Sequence, residues 1–333
     1  MRRLALSLLM ACAVSACGSK SPSSPSSAGS SGVLQGQALS AIDGTATPRV
    51  QVHLSGRAPV TADGDGRFSI DVGEPGSFAA TIRGSGVVER QTMVVGPSAQ
   101  PLRVSLIPAD FDLTAFDEMF RTGDRLMRWT SRPSLVLIAT VMAYHDGASN
   151  EYQATAEQLT QDEVDQMISH LAEGLALMTG NSFTTFESIS VERPESGARV
   201  NVDRPGRIVV GRYSGILTWA NTIGYGQWKD QPNGTVTAGA MFLDRDFDRN
   251  DPRRRLLRIH ELGHALGAQH VRTRTSIMNP SIGPEPTAFD RAAAMIAFQR
   301  PPGNHAPDID PGVSNRGFSV PEGGGVTRRI YCH

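Results

Sequence analysis

The chain predicts a multi-domain protein: an all-β sandwich followed by an α+β domain with a mixed sheet, a long N-terminal helix and a later helix carrying the chemistry. Three observations carry this expectation. The length of 333 residues exceeds what one domain of roughly 100–200 residues holds. Apolar residues alternate with period two over short runs between residues 33 and 108, as in strands with one buried face. From residue 109 β-branched runs and stripes at helical spacing are mixed, which calls for strands and helices in one domain. Apolar residues make up 39% of the chain, enough for packed cores and against wholesale disorder. The formal charge of −1, with Lys20 and Lys229 the only lysines and arginines scattered throughout, excludes a nucleic-acid binder working through a basic surface.

Arg2 and Arg3 precede an apolar run over residues 4–14 and the small residues Ser15, Ala16 and Cys17, the order of a secretory signal. Val14, Ser15, Ala16 and Cys17 resemble the lipobox of bacterial lipoproteins. That resemblance implies a signal peptide over residues 1–17, acylation of Cys17, and a protein lipid-anchored to a membrane of the bacterial cell envelope. The alternative is an ordinary secretory signal with Cys12 as a rival cleavage position; both readings export the protein. Residues 18–32 are Ser/Gly/Pro-rich and form a linker. No later stretch reaches the 18 or more apolar residues of a membrane helix. Cys332 is the one cysteine left after lipidation, so no internal disulfide is expected. It reads as inert or paired between molecules, with an inhibitory reach to a metal the lesser reading.

In the first domain, residues 33–108, the alternating sets are Val50, Val52 and Leu54; Phe68, Ile70 and Val72; Phe78, Ala80 and Ile82; and Leu102, Val104 and Leu106. They read as short antiparallel strands, with residues 63–66 a hairpin turn. The stretch 36–108, chiefly residues 61–70, resembles carboxypeptidase-regulatory or prealbumin-like β-sandwich modules, which implies a fold more than an activity. Calcium at Asp63 and Asp65 lacks support, because Arg67 occupies the third oxygen position and no closing glutamate follows. His53, out of phase with Val50 and Val52, faces solvent.

In the second domain, residues 109–300, the run 134–141 suits a buried strand. A long helix starts at Thr160, which forms a capping box with Glu163. Val164, Met167, Ile168, Leu171, Leu175 and Met178 line its buried stripe, Gly180 stops it, and His170 lies on its surface. Further strands are expected at 183–191, 207–212 and 237–243. Asp251 caps a second helix with Pro252 in its first position. Asp244, Asp246, Asp248 and Asp251 offset the three arginines in its first turn. Residues 301–333 form a Pro/Gly-rich tail in which His305 and His333 are given no role.

The second helix carries His260, Glu261, His264, Gly267 and His270. Histidines four apart project from one helix face and can meet one zinc ion. Gly267 can adopt a left-handed conformation, end the helix and return His270 to the same ion. Three histidines leave the fourth zinc position for water. Glu261, rotated about 100° from the first ligand, can take that water's proton without binding the metal and pass it to a leaving amine.

Residues 260–270 match HExxHxxGxxH, and Ser276, Ile277, Met278, Asn279 and Pro280 look like a Met-turn. Together they resemble the metzincin zinc endopeptidases. The short separation of Met278 from His270 and a following helix from Thr287 are similar to the matrixin branch. The resemblance implies one catalytic Zn2+ on His260, His264 and His270, Glu261 as general acid/base, Met278 as the structural floor, and protein or peptide substrates. It also implies that the strand at 237–243 is the substrate edge. Two features depart from the family. Asn279 and Pro280 exclude a tyrosine fifth ligand, and the upstream cysteine that holds matrixins latent is absent. The expectation is a monomeric, membrane-tethered zinc endopeptidase. The rival is a tethered binding lipoprotein whose β-sandwich is the working part and whose zinc domain is inactive.

Overall fold

The alternation of the first hundred residues is realised as seven strands: β1 (Val33–Ser40), β2 (Gln51–Leu54), β3 (Val60–Thr61), β4 (Arg67–Asp71), β5 (Gly76–Arg83), β6 (Arg90–Gly96) and β7 (Leu102–Leu106). The computed structural model describes residues 32–145, 148–313 and 325–332. The expected signal peptide 1–17, with Cys17, and nearly all of the linker 18–32 lie outside the described residues. Strands β4, β1 and β7 form one small sheet and β3, β2, β5 and β6 another. Leu34, Val52, Leu54, Ile70, Ile82, Val94 and Val104, drawn from both sheets, share one core. His53 is exposed, as its phase requires.

Residues 63–66 do turn, but β3 and β4 lie in different sheets, so the expected hairpin is instead a crossing between sheets. The Asp63 carboxylate accepts the N–H groups of Asp65 and Arg67 at 2.9 and 2.8 Å. It closes the turn itself.

The rest of the chain contains α1 (Leu113–Phe120), the short β8 (Arg121–Thr122) and β9 (Arg125–Leu126), β10 (Ser134–Ala143), β11 (Glu151–Gln158) and α2 (Gln161–Met178). Then come β12 (Ile189–Glu192), β13 (Arg199–Asn201), β14 (Arg207–Ser214), α3 (Ile216–Ala220), β15 (Gly224–Asp230) and β16 (Val236–Asp244). Last are α4 (Arg245–Asn250), α5 (Arg254–Ala265), α6 (Ala288–Phe298) and β17 (Val326–Cys332). The described residues thus form a mixed α/β protein, mostly sheet, with six helices. None of these helices is long and apolar enough to cross a membrane.

One sheet organises this part, in the order β13-β11-β10-β14-β16-β15-β17, with β12 also beside β10. Period two sorts β10 between two cores. Leu135, Leu137, Ala139 and Val141 face α2 and α5, while Val136 and Ile138 join Tyr213, Tyr225 and Phe242 in a second cluster. Helix α2 has the expected capping box and buries Val164, Met167, Leu171, Leu175 and Met178. It meets α5 at Gly174, where a Cβ would stand 3.1 Å from Leu262 and 3.4 Å from the Ile259 backbone.

Several expectations are corrected. Most of 183–191 is loop, and the strand there is Ile189–Glu192. The strand expected at the substrate edge is β16, an interior strand between β14 and β15. Asp251 closes α4 rather than opening α5, and Pro252 precedes the helix in a turn. Residues 301–333 are not simply a tail. Asp308 is buried and joins Arg90 at 2.8 Å to Arg300 at 2.7 Å, tying the first seven strands to the rest.

Of the three first-turn arginines expected to oppose the α5 dipole, Arg253 pairs with Asp251 as expected, whereas Arg255 pairs with Glu173 and Glu285, and Asp248 serves other arginines. Asp248, fully buried, receives Arg258 at 2.7 and 2.9 Å and Arg212 at 2.6 Å, and Arg212 also meets Glu163. This ties α4, α5, α2 and β14 together. Removing one member strands the others' charges in the interior. Asp248→Ala is therefore expected to lower unfolding free energy by about 3–5 kcal/mol, read from urea denaturation at neutral pH.

Partial burial raises the Glu163 pKa, but the Thr160 N–H, Arg212 and Arg249 outweigh it and bring it from 4.5 to about 2. The unfolded chain then binds the proton first on acidification. Stability contributed by Glu163 is full above pH 4.5 and is lost as pH falls to about 2. Glu163→Gln is expected to be less stable at neutral pH and to lose less stability across that window, measured as urea midpoints against pH.

Candidate metal centre

Helix α5 is buried along almost its whole length, including His260, Glu261 and His264. Its approach to β15 is set by Gly226, where a Cβ would stand 2.4 Å from His264 Cβ and 2.7 Å from the Glu261 carbonyl oxygen. No other residue type permits that contact.

The helix ends where the ligands require it to. Gly267 has φ +105°, in the region that L side chains avoid, and a Cβ there would lie 3.1 Å from Val236 and 3.2 Å from the Met127 carbonyl. The chain turns and brings His270 back. The Nε2 atoms of His264 and His260 are 3.0 Å apart, and those of His264 and His270 are 3.3 Å apart.

The other ring nitrogens identify the tautomers. His260 Nδ1 is 2.7 Å from the Ile277 carbonyl and His264 Nδ1 is 2.8 Å from the Ala268 carbonyl. A carbonyl only accepts, so each Nδ1 carries the hydrogen and each Nε2 presents a bare lone pair. Burial lowers the His260 pKa to about 4, with the Ile277 hydrogen bond offsetting part of this, and takes that of His264 down further with help from the neighbouring imidazoles. Both rings are therefore neutral at neutral pH. Converging lone pairs repel one another unless a cation sits between them.

Cys332 completes the group. Its Sγ lies 2.9 Å from His260 Nε2 and 3.6 Å from the Nε2 atoms of both His264 and His270. Ligands 2.0–2.3 Å from a tetrahedral ion are separated by about 3.3–3.7 Å; the 3.3 and 3.6 Å spacings match that, while the 3.0 Å and 2.9 Å contacts to His260 are shorter, so a bound ion would push His260 outward from His264 and Cys332. The four residues form a cluster able to hold a metal. The sequence favours water in the fourth position and an inert or intermolecularly paired Cys332, with a reach to the metal only the lesser reading. The structure puts a thiol in that position.

Glu261 is wholly buried beside the cluster, and neither carboxyl oxygen has a nitrogen or oxygen hydrogen-bond partner among the described residues; the Cys332 thiol lies against it. Burial pushes its pKa well up, and the adjacent Cys332 thiol offsets only part of that. Burial and Glu261 likewise push the Cys332 thiol up. A divalent cation at the cluster reverses that pressure by favouring thiolate and carboxylate.

Behind the histidines, Met278 is fully buried against α5, its sulfur 2.6 Å from where a Cβ on Gly263 would be. Asp290, buried at the start of α6, accepts the Ser276 hydroxyl and the Ile277 N–H, and also the Thr287 N–H at 2.7 Å. One carboxylate thus ties the 276–279 turn to α6 and steadies the carbonyl that orients His260. The sequence placed Met278 in this turn but gave no sign that Asp290 anchors it. Neither His170, 3.1 Å from Arg258, nor His305, 3.1 Å from Asp124, belongs to the cluster.

No known family model matches the chain, and comparison with curated proteins finds no match. The site therefore has to be read from its own chemistry.

Gly267→Ala forces a left-handed backbone on a residue with a Cβ, a cost of roughly 1–3 kcal/mol, and displaces His270. The variant is expected to bind a divalent metal more weakly than the parent chain and to unfold at lower temperature. Competition with a chromophoric chelator and a thermal melt measure the two effects.

Proposed function

We propose that the chain is a zinc-dependent metalloendopeptidase, matrixin-like within the metzincins, which cleaves peptide bonds of extracytoplasmic proteins. One observation carries this reading: a wholly buried Glu261 carboxyl, with no nitrogen or oxygen hydrogen-bond partner, lies beside three imidazoles whose Nε2 atoms converge. Burying a carboxyl without such a partner costs several kcal/mol, and a purely structural metal site has no use for it.

His260, His264 and His270 would hold the ion. When bound, zinc supplies Lewis acidity toward a carbonyl and acidifies water. Glu261 takes a proton from the attacking water and returns it to the departing amine. Its place beside the cluster lets the carboxylate accept that proton and hold it between the two events. Strand β15, packed on α5 through Gly226, would orient an extended peptide along its edge in place of β17, which pairs with it in this structure. The buried walls exclude bulk water from the Glu261 carboxyl.

The proposal includes the fold and its setting. The two small sheets around one core are read as a carboxypeptidase-regulatory or prealbumin-like β-sandwich, the remainder as a metzincin-like catalytic domain. The N-terminus is read as a lipoprotein signal that anchors the protein to the bacterial cell envelope through Cys17.

A second reading is favoured by one observation. Four protein ligands, three histidines and Cys332, are the donor set of a closed structural zinc site. The protein would then be a tethered binding lipoprotein working through its β-sandwich.

The test is hydrolysis of unfolded casein by the zinc-loaded chain from residue 33 onward, with Cys332→Ser present and absent, each with and without Glu261→Gln. The proposal expects cleavage that Glu261→Gln lowers by about 10²–10⁴-fold with zinc content unchanged. Equal rates with and without Glu261→Gln, or no cleavage by any folded, zinc-loaded form, would favour the binding reading.

A further inference from the structure

Strand β17 is the last described segment of the chain, and it lies where an extended ligand of the metal centre would have to lie. It pairs antiparallel with β15 over its full length, from Asp230↔Val326 to Gly224↔Cys332. Interior strand β16 covers the other side of β15, so this edge is the one face of the ladder that another chain can occupy.

The register is held by side chains as well as backbone. Arg328 reaches Asp230 at 2.8 Å, Arg329 reaches Gln227 Oε1 at 3.0 Å, and the Tyr331 ring lies 4.8 Å from that of Tyr225. Thr222 donates to the Cys332 carbonyl oxygen. Cys332 falls opposite Gly224, where a Cβ would stand 3.0 Å from Glu261 Oε1. The missing side chain leaves Glu261 and the thiol room to approach each other.

We infer that the edge of β15 away from β16 is a binding site for an extended peptide, and that residues 326–332 are its built-in occupant, which blocks substrate and fills the fourth ligand position with Cys332. The inference rests on the metalloendopeptidase reading. The occupant also shows the class of peptide the edge accepts. It carries paired cations three and four residues before the position at the metal, facing Asp230 and Gln227, and an aromatic ring immediately before that position, packed at a tilt on Tyr225.

The thiol alone would not separate this from a structural site; the strand does. Charge reversal at Arg328 acts on the strand without touching a ligand, and Cys332→Ser acts on the ligand without touching the ladder. If β17 is a displaceable occupant, both changes work in the same direction. If it is a permanent wall, neither opens the edge.

The experiment uses the full exported chain, Cys332→Ser, Arg328→Glu and the double variant, each loaded with cobalt(II) or zinc. The cobalt form of the parent should show thiolate-to-metal charge-transfer absorption, lost in Cys332→Ser. Amide hydrogen exchange along residues 224–230 should quicken in the variants. A synthetic peptide of residues 326–332 should bind the double variant and not the parent. Since a tethered segment acts at an effective concentration near the millimolar range, casein cleavage should rise at least about tenfold on displacing it.

Absence of the thiolate band in the cobalt-loaded parent would overturn the inference whatever the activity. So would unchanged exchange along β15 together with no peptide binding by the folded variants. A parent that cleaves casein as fast as its variants would overturn self-occlusion and leave the endopeptidase reading standing. Variants that open the edge and bind the peptide without cleaving casein would support the occupant and remove the endopeptidase reading.

Discussion

Three imidazoles converging on one point, with the Nε2 atoms of His260 and His270 each within 3.3 Å of His264 Nε2 and no proton on the Nε2 atoms of His260 and His264, are the constraint on which the rest of this architecture depends. That geometry is repulsive in the bare protein and attractive around a cation, so it has to be held from behind. Two carbonyls hold it, those of Ile277 and Ala268. Each lies on a segment with its own anchor. Ala268 follows the left-handed Gly267, and Ile277 sits in the turn that Asp290 ties to α6. The site is therefore a property of a helix end, a turn and a neighbouring helix together, because removing any one frees a ring to rotate.

The wider scaffold keeps α5 in place. Gly174 lets α2 cross it closely on one side, and Gly226 lets β15 lie against it on the other. Between α5, α4 and β14 the buried pair Arg212 and Arg258 share Asp248. Such a network contributes little net stability compared with an apolar core, yet it penalises any arrangement in which one partner is displaced. Its value here is positional: Arg258 sits two residues before His260, and a shift of α5 that moved the histidines would break the Asp248 contacts first.

Much of this was legible because it is local. The α2 stripe and its Thr160–Glu163 capping box, the strand at 134–141 and the spacing of His260, His264, Gly267 and His270 are set by neighbours within a few residues, which periodicity and capping chemistry capture. The expected 237–243 strand exists, but its place in the sheet does not follow from its composition. A central strand and a covered edge strand can carry the same residues. The misses share one cause. Strand β15 contains Gly224 and Gly226, which weaken a strand's pattern, and those glycines are present because α5 approaches them from far along the chain. Strand β17 carries Arg328 and Arg329 and no clean alternation, since it is covered on one edge only. Asp308 lies in a Pro/Gly-rich stretch, and only the folded chain shows it buried between Arg90 and Arg300.

Cys332 is the sharpest case, because 72 positions separate it from His260 in the chain. Nothing local to a penultimate cysteine indicates a metal cluster. What brings it there is register. A slip of β17 by one residue against β15 would put Tyr331 opposite Gly224 and turn every side chain to the other face. The aromatic ring would then have to occupy the space beside Glu261 that Gly224 leaves for a thiol. Arg328 and Arg329 would lose Asp230 and Gln227 in the same step. The chain end thus carries in seven residues both the contacts that choose the register and the sulfur that the register delivers. An exposed sheet edge invites unwanted pairing, and covering β15 with a strand of the same chain answers that liability.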